Sequence, residues 1–258
     1  MFKITGRLQE IDALKAELDS LRPLNEMQVK SLKNYFDIEL TYNSNAIEGS
    51  TIDYNETKII LLDGITIGGK STREHLETIN HKEAIDYIEE IAKQETKEIK
   101  RVDVLGIHRI ILNSIDTQNA GKYRAYDVYV KVSAEEKFYF PKPALVPSLM
   151  DNFFLWLKEN SNMHPVLLSA EAHYRLVSIH PFIDGNGRTA RLLMNLILIQ
   201  NGYTPAIIKM SQRKQYIEAI EAARKKEDMT DFYNLMLDAE KESLETYLET
   251  IKNNIVWK

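Results

Sequence analysis

A chain of 258 residues, 44% hydrophobic and 28% charged, has enough apolar material for a substantial core, as one large domain or two modest ones. A formal charge of −5 with no long basic stripe argues against general nucleic-acid binding, and the absence of cysteine excludes disulfides and thiolate metal sites. The charged opening from Met1 to Leu21 is unlike a secretory signal, and the longest apolar run, Leu192 to Ile199, is broken by Asn195 and far too short to span a bilayer. The expectation is a soluble, cytoplasmic protein without a membrane partner.

Leu8 to Leu21 has the pattern of a helix, which Arg22-Pro23 ends. Val29, Leu32, Phe36 and Leu40 continue a helical stripe towards Ser44-Asn45-Ala46-Ile47-Glu48-Gly49, where Gly49 is a stop signal. Glu48 then sits in a last turn, near the negative end of the helix dipole, and needs something positive opposite it. A capping box of Asn45 with Glu48 is the simpler alternative. Further on, Gly64 to Ser71 satisfies the P-loop pattern G-x-x-x-x-G-K-S/T. Its surroundings argue against a P-loop, because Glu56 to Asp63 is equally helical, Ile65 to Ile67 are β-branched, and no later strand ends in an aspartate for Mg²⁺. A glycine loop followed by a capping box, Ser71-Thr72-Arg73-Glu74, accounts for the stretch and starts a helix running through Ala92.

Val102 to Ile115 is expected as the next helix, with Val104, Ile107, Ile111 and Ile115 buried and His108 in a structural role. A turn at Asn119 to Lys122 leads through Tyr123-Arg124 into the β segment of the chain. There Val128, Val130 and Val132 alternate, Ser133 to Lys137 form a polar link, and Phe138 and Phe140 alternate before Pro141, as in a hairpin. Helices are then expected over Val146 to Leu157, Pro165 to Ile179, Ala190 to Ile199 (ended by Asn201-Gly202), Gln212 to Lys225 and Phe232 to Ile251.

Between two of these helices lies His180-Pro181-Phe182-Ile183-Asp184-Gly185-Asn186-Gly187-Arg188-Thr189-Ala190-Arg191. Gly185 and Gly187 permit the backbone turns in which successive N–H groups converge, and the helix that follows adds its free amides and positive dipole end, so the junction suits phosphate. Asp184 would repel phosphate unless a hard cation bridged them, a role that Mg²⁺ fills with one carboxylate plus nucleotide oxygens. Arg188 and Arg191, three apart on one helical face, suit the outer phosphates, and His180 is the nearby group able to act as a base at neutral pH.

These twelve residues match the signature H-P-F-x-D/E-G-N-G-R-x-x-R at all nine fixed positions, so the chain resembles the Fic family. The resemblance, which spans about Thr41 to Met236, implies a mainly α, Fic-type helical bundle with one short β-hairpin flap. It implies an N-terminal helical region (1–100) with an inhibitory helix over about 31–48, a Fic core (101–236) and a C-terminal helix (237–258). The implied activity is AMP transfer from ATP to a Ser, Thr or Tyr hydroxyl of a target protein, with Mg²⁺ on Asp184, His180 as base, and Gly185, Asn186, Gly187, Arg188 and Arg191 on the phosphates. Removal of AMP at the same site and a catalytically silent nucleotide-binding regulator stay open, as does assembly into a homo-oligomer.

Ser44 to Gly49 fits the family's inhibitory pattern S/T-x-x-x-E-G/N, which implies that Glu48 pairs with Arg191. The hairpin, following a Gly-x-Tyr/Phe-Arg step, corresponds to a flap that docks the target by strand addition through Val128, Val130, Phe138 and Phe140. Tyr216 and Ile217 correspond to the adenine-lining helix. Two departures are Lys131, where relatives have glycine, and Arg224, where many have asparagine.

Overall fold

The computed structural model describes residues 2–131 and 137–257. Ten α-helices and a two-stranded hairpin occur among them: α1 (Phe2–Ser20), α2 (Glu26–Ile47), α3 (Tyr54–Lys58), α4 (Thr72–Ala92), α5 (Arg101–Ile111), β1 (Tyr129–Lys131), β2 (Lys137–Tyr139), α6 (Val146–Glu159), α7 (Pro165–Ile179), α8 (Asn186–Gln200), α9 (Arg213–Lys226) and α10 (Thr230–Lys252). The expected mainly α bundle with one short β-hairpin is what is found.

Local chemistry sets the helix starts. Asn25 with Gln28, Asp53 with Glu56 and Ser71 with Glu74 form reciprocal capping boxes at α2, α3 and α4, each satisfying two N-terminal amides. The glycine loop expected before α4 is confirmed, and no strand precedes it among the described residues. Instead α3 runs into a π-helical turn, Ile59–Asp63, that closes on a left-handed Gly64, which excludes the P-loop. The Asn45–Glu48 capping box is also excluded. Asn45 lies inside α2, with its side-chain amide donating to the Glu77 carbonyl (3.2 Å).

Helix α5 stops at Ile111 rather than Ile115. Asn80, buried on α4, donates its amide to the carbonyls of Ile111 (3.2 Å) and Asn113 (2.7 Å), and Ser114 then takes a left-handed conformation. Ile115 is consequently only partly buried. In the hairpin Tyr129 pairs with Tyr139, Val130 with Phe138 and Lys131 with Lys137. Val132 and the link through 136 lie outside the described residues.

Helix α8 is the centre of the molecule. Of its 15 residues 13 are buried, and α7, α4, α5 and α2 pack around it. Full burial of each Leu or Met side chain here contributes roughly 1.5–3 kcal/mol. Asn195 does not weaken this core, because its amide donates to the Ala206 carbonyl (3.2 Å) and accepts from the Ala206 N–H (2.8 Å), fixing the segment after Gly202. Helices α1 and α10 pack on each other, and α10 also lies against α7 and α9. One continuous apolar cluster contains Ile11, Leu18, Phe182, Leu193 and Leu248, so N-terminal, signature and C-terminal residues share a core. No described helix is long and apolar enough to cross a membrane.

Glu240 on α10 is fully buried, accepting from the Thr204 N–H (3.1 Å) and hydroxyl (2.8 Å). Burial pushes its pKa up to about 8, against those two hydrogen bonds. A raised carboxyl pKa gives stability that is whole below the unfolded value, near 4.5, and is lost as pH rises through about 8. Glu240→Gln preserves the acceptor without the titration. We expect it to match wild type at pH 4 within about 1 kcal/mol and to exceed it at pH 9, as read from urea midpoints.

Candidate active site

Helices α7 and α8 are joined by six residues, 180–185, which keeps the end of one beside the start of the other. His180 caps α7 in a left-handed conformation (φ 51°, ψ 59°), a cost of about 1–2 kcal/mol for a residue with a Cβ. Its N–H donates to the Leu176 carbonyl (2.9 Å), and its own carbonyl accepts from Arg124 Nε (2.7 Å). The ring is oriented by two contacts: Nδ1 lies 3.3 Å from the Val177 carbonyl, and the Phe140 ring stacks on it at 3.9 Å. With Nδ1–H donating to Val177, Nε2 carries the free lone pair. Burial pushes the pKa down to about 4, opposed by the Val177 bond and reinforced by the Arg124 charge, so the imidazole is neutral at pH 7.

The loop is held by its own side chains. Asn186 accepts from the Phe182 N–H and donates to the Phe182 carbonyl, both at 2.9 Å, which commits its amide to the loop itself. Behind it His108, fully buried, stacks on Phe182 at 3.7 Å. His108 Nδ1 accepts from the Gly121 N–H (2.9 Å), so Nε2 carries the proton and donates to the Asp184 carbonyl (3.0 Å). His108 thus has the structural role expected of it. Gly185, at φ 75°, is the N-cap of α8, and the first intrahelical bond is Thr189 N–H to its carbonyl. The amides of 186–188 precede that bond and carry the positive end of the helix dipole. Only Gly185 of the two signature glycines needs a left-handed backbone. Gly187 is helical, and a Cβ there would overlap Glu48 Oε1, so its role is to make room.

The two arginines are buried and already paired. Arg191 donates through Nη2 to Glu48 Oε1 (2.7 Å) and the Ser44 carbonyl (2.9 Å), through Nε to the Ser44 hydroxyl (2.9 Å), and through Nη1 to the Tyr216 hydroxyl (3.4 Å). Glu48 caps the C-terminus of α2 and Gly49 follows at φ 103°. The acidic last turn thus faces the cation its dipole position requires, and Arg213 donates to the Ile47 carbonyl (2.8 Å) at the same end. Arg188 lies against Glu77 (3.2 Å) and Asp184 (3.6 Å). Burial works against the Asp184 charge, but Arg188, the Gly185 N–H and Arg73 outweigh it and hold the carboxyl below its ordinary value. No three acidic or histidine side chains converge as a metal cage among the described residues. A single ionised carboxylate suits a cation that takes its other ligands from phosphate and water, as Mg²⁺ does.

Other site residues are distributed as follows. Tyr216 is buried, its hydroxyl shared between Arg191 and His173 Nε2 (2.9 Å), whereas Ile217 beside it is 38% exposed. In the hairpin Val128 accepts from the Phe140 N–H (3.2 Å), Val130 is exposed, and Phe138 lies under Arg224 at 3.8 Å. Sequence patterns did not reveal the work of Arg124. Buried without a carboxylate partner among the described residues, it donates to the carbonyls of His180, Tyr126 (2.9 Å) and Pro141 (2.5 Å), tying both ends of the hairpin to the histidine. Arg73 and Glu77 were equally hidden, although their i, i+4 spacing on α4 was a usable sign that they share a face.

A family model described as Fic/DOC matches residues 98–198. The structure also superposes on Fic-1 from C. elegans with a TM-score of 0.85 at 30% identity, covering 97% of this chain and 73% of that one. The chain belongs to the Fic/DOC family. A Fic-domain signalling protein from Bacteroides thetaiotaomicron is similar over 94% of this chain and 97% of its own, with a TM-score of 0.88 and 28% identity. A relative from Drosophila willistoni named protein adenylyltransferase Fic is 36% identical over 244 residues, which is 94% of this chain and 47% of that protein. This Fic/DOC chain therefore spans about half the length of the curated relatives it matches.

Arg124 carries a testable consequence. Arg124→Ala leaves the carbonyls of His180, Tyr126 and Pro141 without their donor. We expect a loss of roughly 2–4 kcal/mol, with hydrogen exchange rising first at the Phe140 N–H.

Proposed function

We propose that the protein transfers AMP from ATP to a Ser, Thr or Tyr hydroxyl of a target protein, and that Glu48 restrains the reaction. The observation that carries this reading is the neutral imidazole of His180, with Nε2 free, held at the α7–α8 junction beside the amide-rich start of α8. Membership in the Fic/DOC family and similarity to proteins named protein adenylyltransferase support it.

In this reaction the target oxygen attacks the α-phosphorus as the bond to pyrophosphate breaks, and pyrophosphate leaves with the bonding electrons. His180 Nε2 takes the hydroxyl proton and passes it to solvent. The amides of 186–188 and the helix dipole hold the phosphate negative charge, and Asn186 keeps the loop in the shape that aims them. Arg191 binds the outer phosphates once Glu48 withdraws, and Arg188 joins it from its place beside Glu77. Mg²⁺, held by Asp184, would supply charge neutralisation at the α- and β-phosphates. The hairpin aligns a target segment by backbone pairing, with Val128 and Val130 on one arm and Phe138 and Phe140 on the other. The adenine is assigned to the side of α9 that exposes Ile217, with Tyr216 behind it.

Glu48 Oε1 on Arg191 removes one clamp from the outer phosphates, which costs alignment before it costs affinity. A displacement of about one ångström is worth roughly a hundredfold in rate.

His180→Ala should lower incorporation from α-³²P-ATP by about 10²- to 10⁴-fold while ATP still binds; an equal rate would reject His180 as the base. Glu48→Gly should raise incorporation at least tenfold, and an unchanged rate would reject the restraint.

A further inference from the structure

The site contains a second set of charge pairs that Glu48 does not touch. Asp184 Oδ2 accepts from Arg73 Nη2 (2.7 Å), Arg73 Nε donates to Glu77 Oε1 (3.0 Å), Glu77 Oε1 lies 3.2 Å from Arg188 Nη1, and Arg188 Nη2 lies 3.6 Å from Asp184 Oδ1. Two arginines and two carboxylates alternate in a closed ring between α4 and the signature. Within it Arg188 (3% exposed) and Glu77 (13%) are fixed by burial, while Arg73 is 57% exposed. Arg73 is the member that solvent can receive.

The position of Arg73 matters because Asp184 is the one signature carboxylate suited to a divalent cation. Asp184 Oδ1 accepts from the Gly185 N–H (2.6 Å) and faces buried Arg188, which makes Oδ2 the more accessible oxygen for a metal, and Arg73 sits on it. We infer that Arg73 holds the cation seat on Asp184 in the resting protein and must swing away before the metal and triphosphate settle there. The swing is inexpensive. Nε can keep its bond to Glu77 while the Nη2 end departs, and Glu77 in turn keeps Arg188 in place. This inference rests on the proposed nucleotide reading and deepens it. Glu48 governs the outer-phosphate side through Arg191, and Arg73 governs the metal side through Asp184.

An exposed ion pair of this kind competes with an incoming cation by at most about fivefold in affinity, since such pairs seldom couple more strongly. The test is calorimetric titration of ATP into wild type and Arg73→Ala, once with excess Mg²⁺ and once with EDTA. The quantity read is the ratio of the Kd in EDTA to the Kd in Mg²⁺, which reports how strongly metal and nucleotide support each other. For Arg73→Ala we expect that ratio to rise about two- to fivefold, because the metal no longer displaces a guanidinium. If affinity falls alike under both conditions and the ratio is unchanged, Arg73 is a phosphate ligand and the inference is overturned; a lower ratio overturns it as well. Failure of wild type to bind ATP under either condition would remove the nucleotide reading itself, a result distinct from a ratio that does not move.

Discussion

Arg191 puts a permanent positive charge inside the most deeply buried helix of the protein, and much of the surrounding structure is arranged to make that tolerable. A buried guanidinium is costly unless its donors are met and its charge is opposed. Here Ser44 supplies two oxygens, Tyr216 a third and Glu48 both an oxygen and the countercharge. Because three of the four contacts come from one turn and a half of α2, that helix end must lie flat against α8. Gly187 follows from the same requirement, since α8 can receive the carboxylate only where it lacks a side chain.

A similar economy governs the histidine. His180 has no ionised partner of its own among the described residues. It is kept neutral by burial and oriented by a carbonyl, a stacked Phe140 and the backbone grip of Arg124. The ring and the hairpin therefore form one mechanical unit. Any displacement of Phe140, just past the end of β2, is felt at the imidazole face, so the position of the hairpin and the orientation of the ring are coupled.

Much of this was legible in the sequence, for specific reasons. The limits of α7 followed from Pro165 and the apolar spacing, and the hairpin followed from alternation around a polar link. The twelve-residue signature, through its resemblance to the Fic family, led to the fold and to the Glu48–Arg191 pair. What escaped was set by contacts between segments distant in the chain. The spacing of Val104 to Ile115 continues smoothly, yet α5 stops early because Asn80, from another helix, takes its terminal carbonyls. Gly187 looked like a turn residue because glycine is most often needed for its backbone freedom, whereas here a carboxylate some 140 positions away requires the space. Among the described residues Arg124 bonds only to carbonyls, a pattern that no side-chain motif advertises.

The bonds around Arg191 also divide the Glu48–Arg191 contact into a post and a latch. The arginine is the post: it is rooted in α8 and braced through Tyr216 against His173 in the interior. Glu48 is the latch, partly in solvent at a helix end, and its last peptide is tethered by Arg213 of α9. A force that frees the pair thus has only one place to act, the final turn of α2. Helix α9, which carries Ile217 on the outside and Arg213 against that turn, is the handle nearest to it.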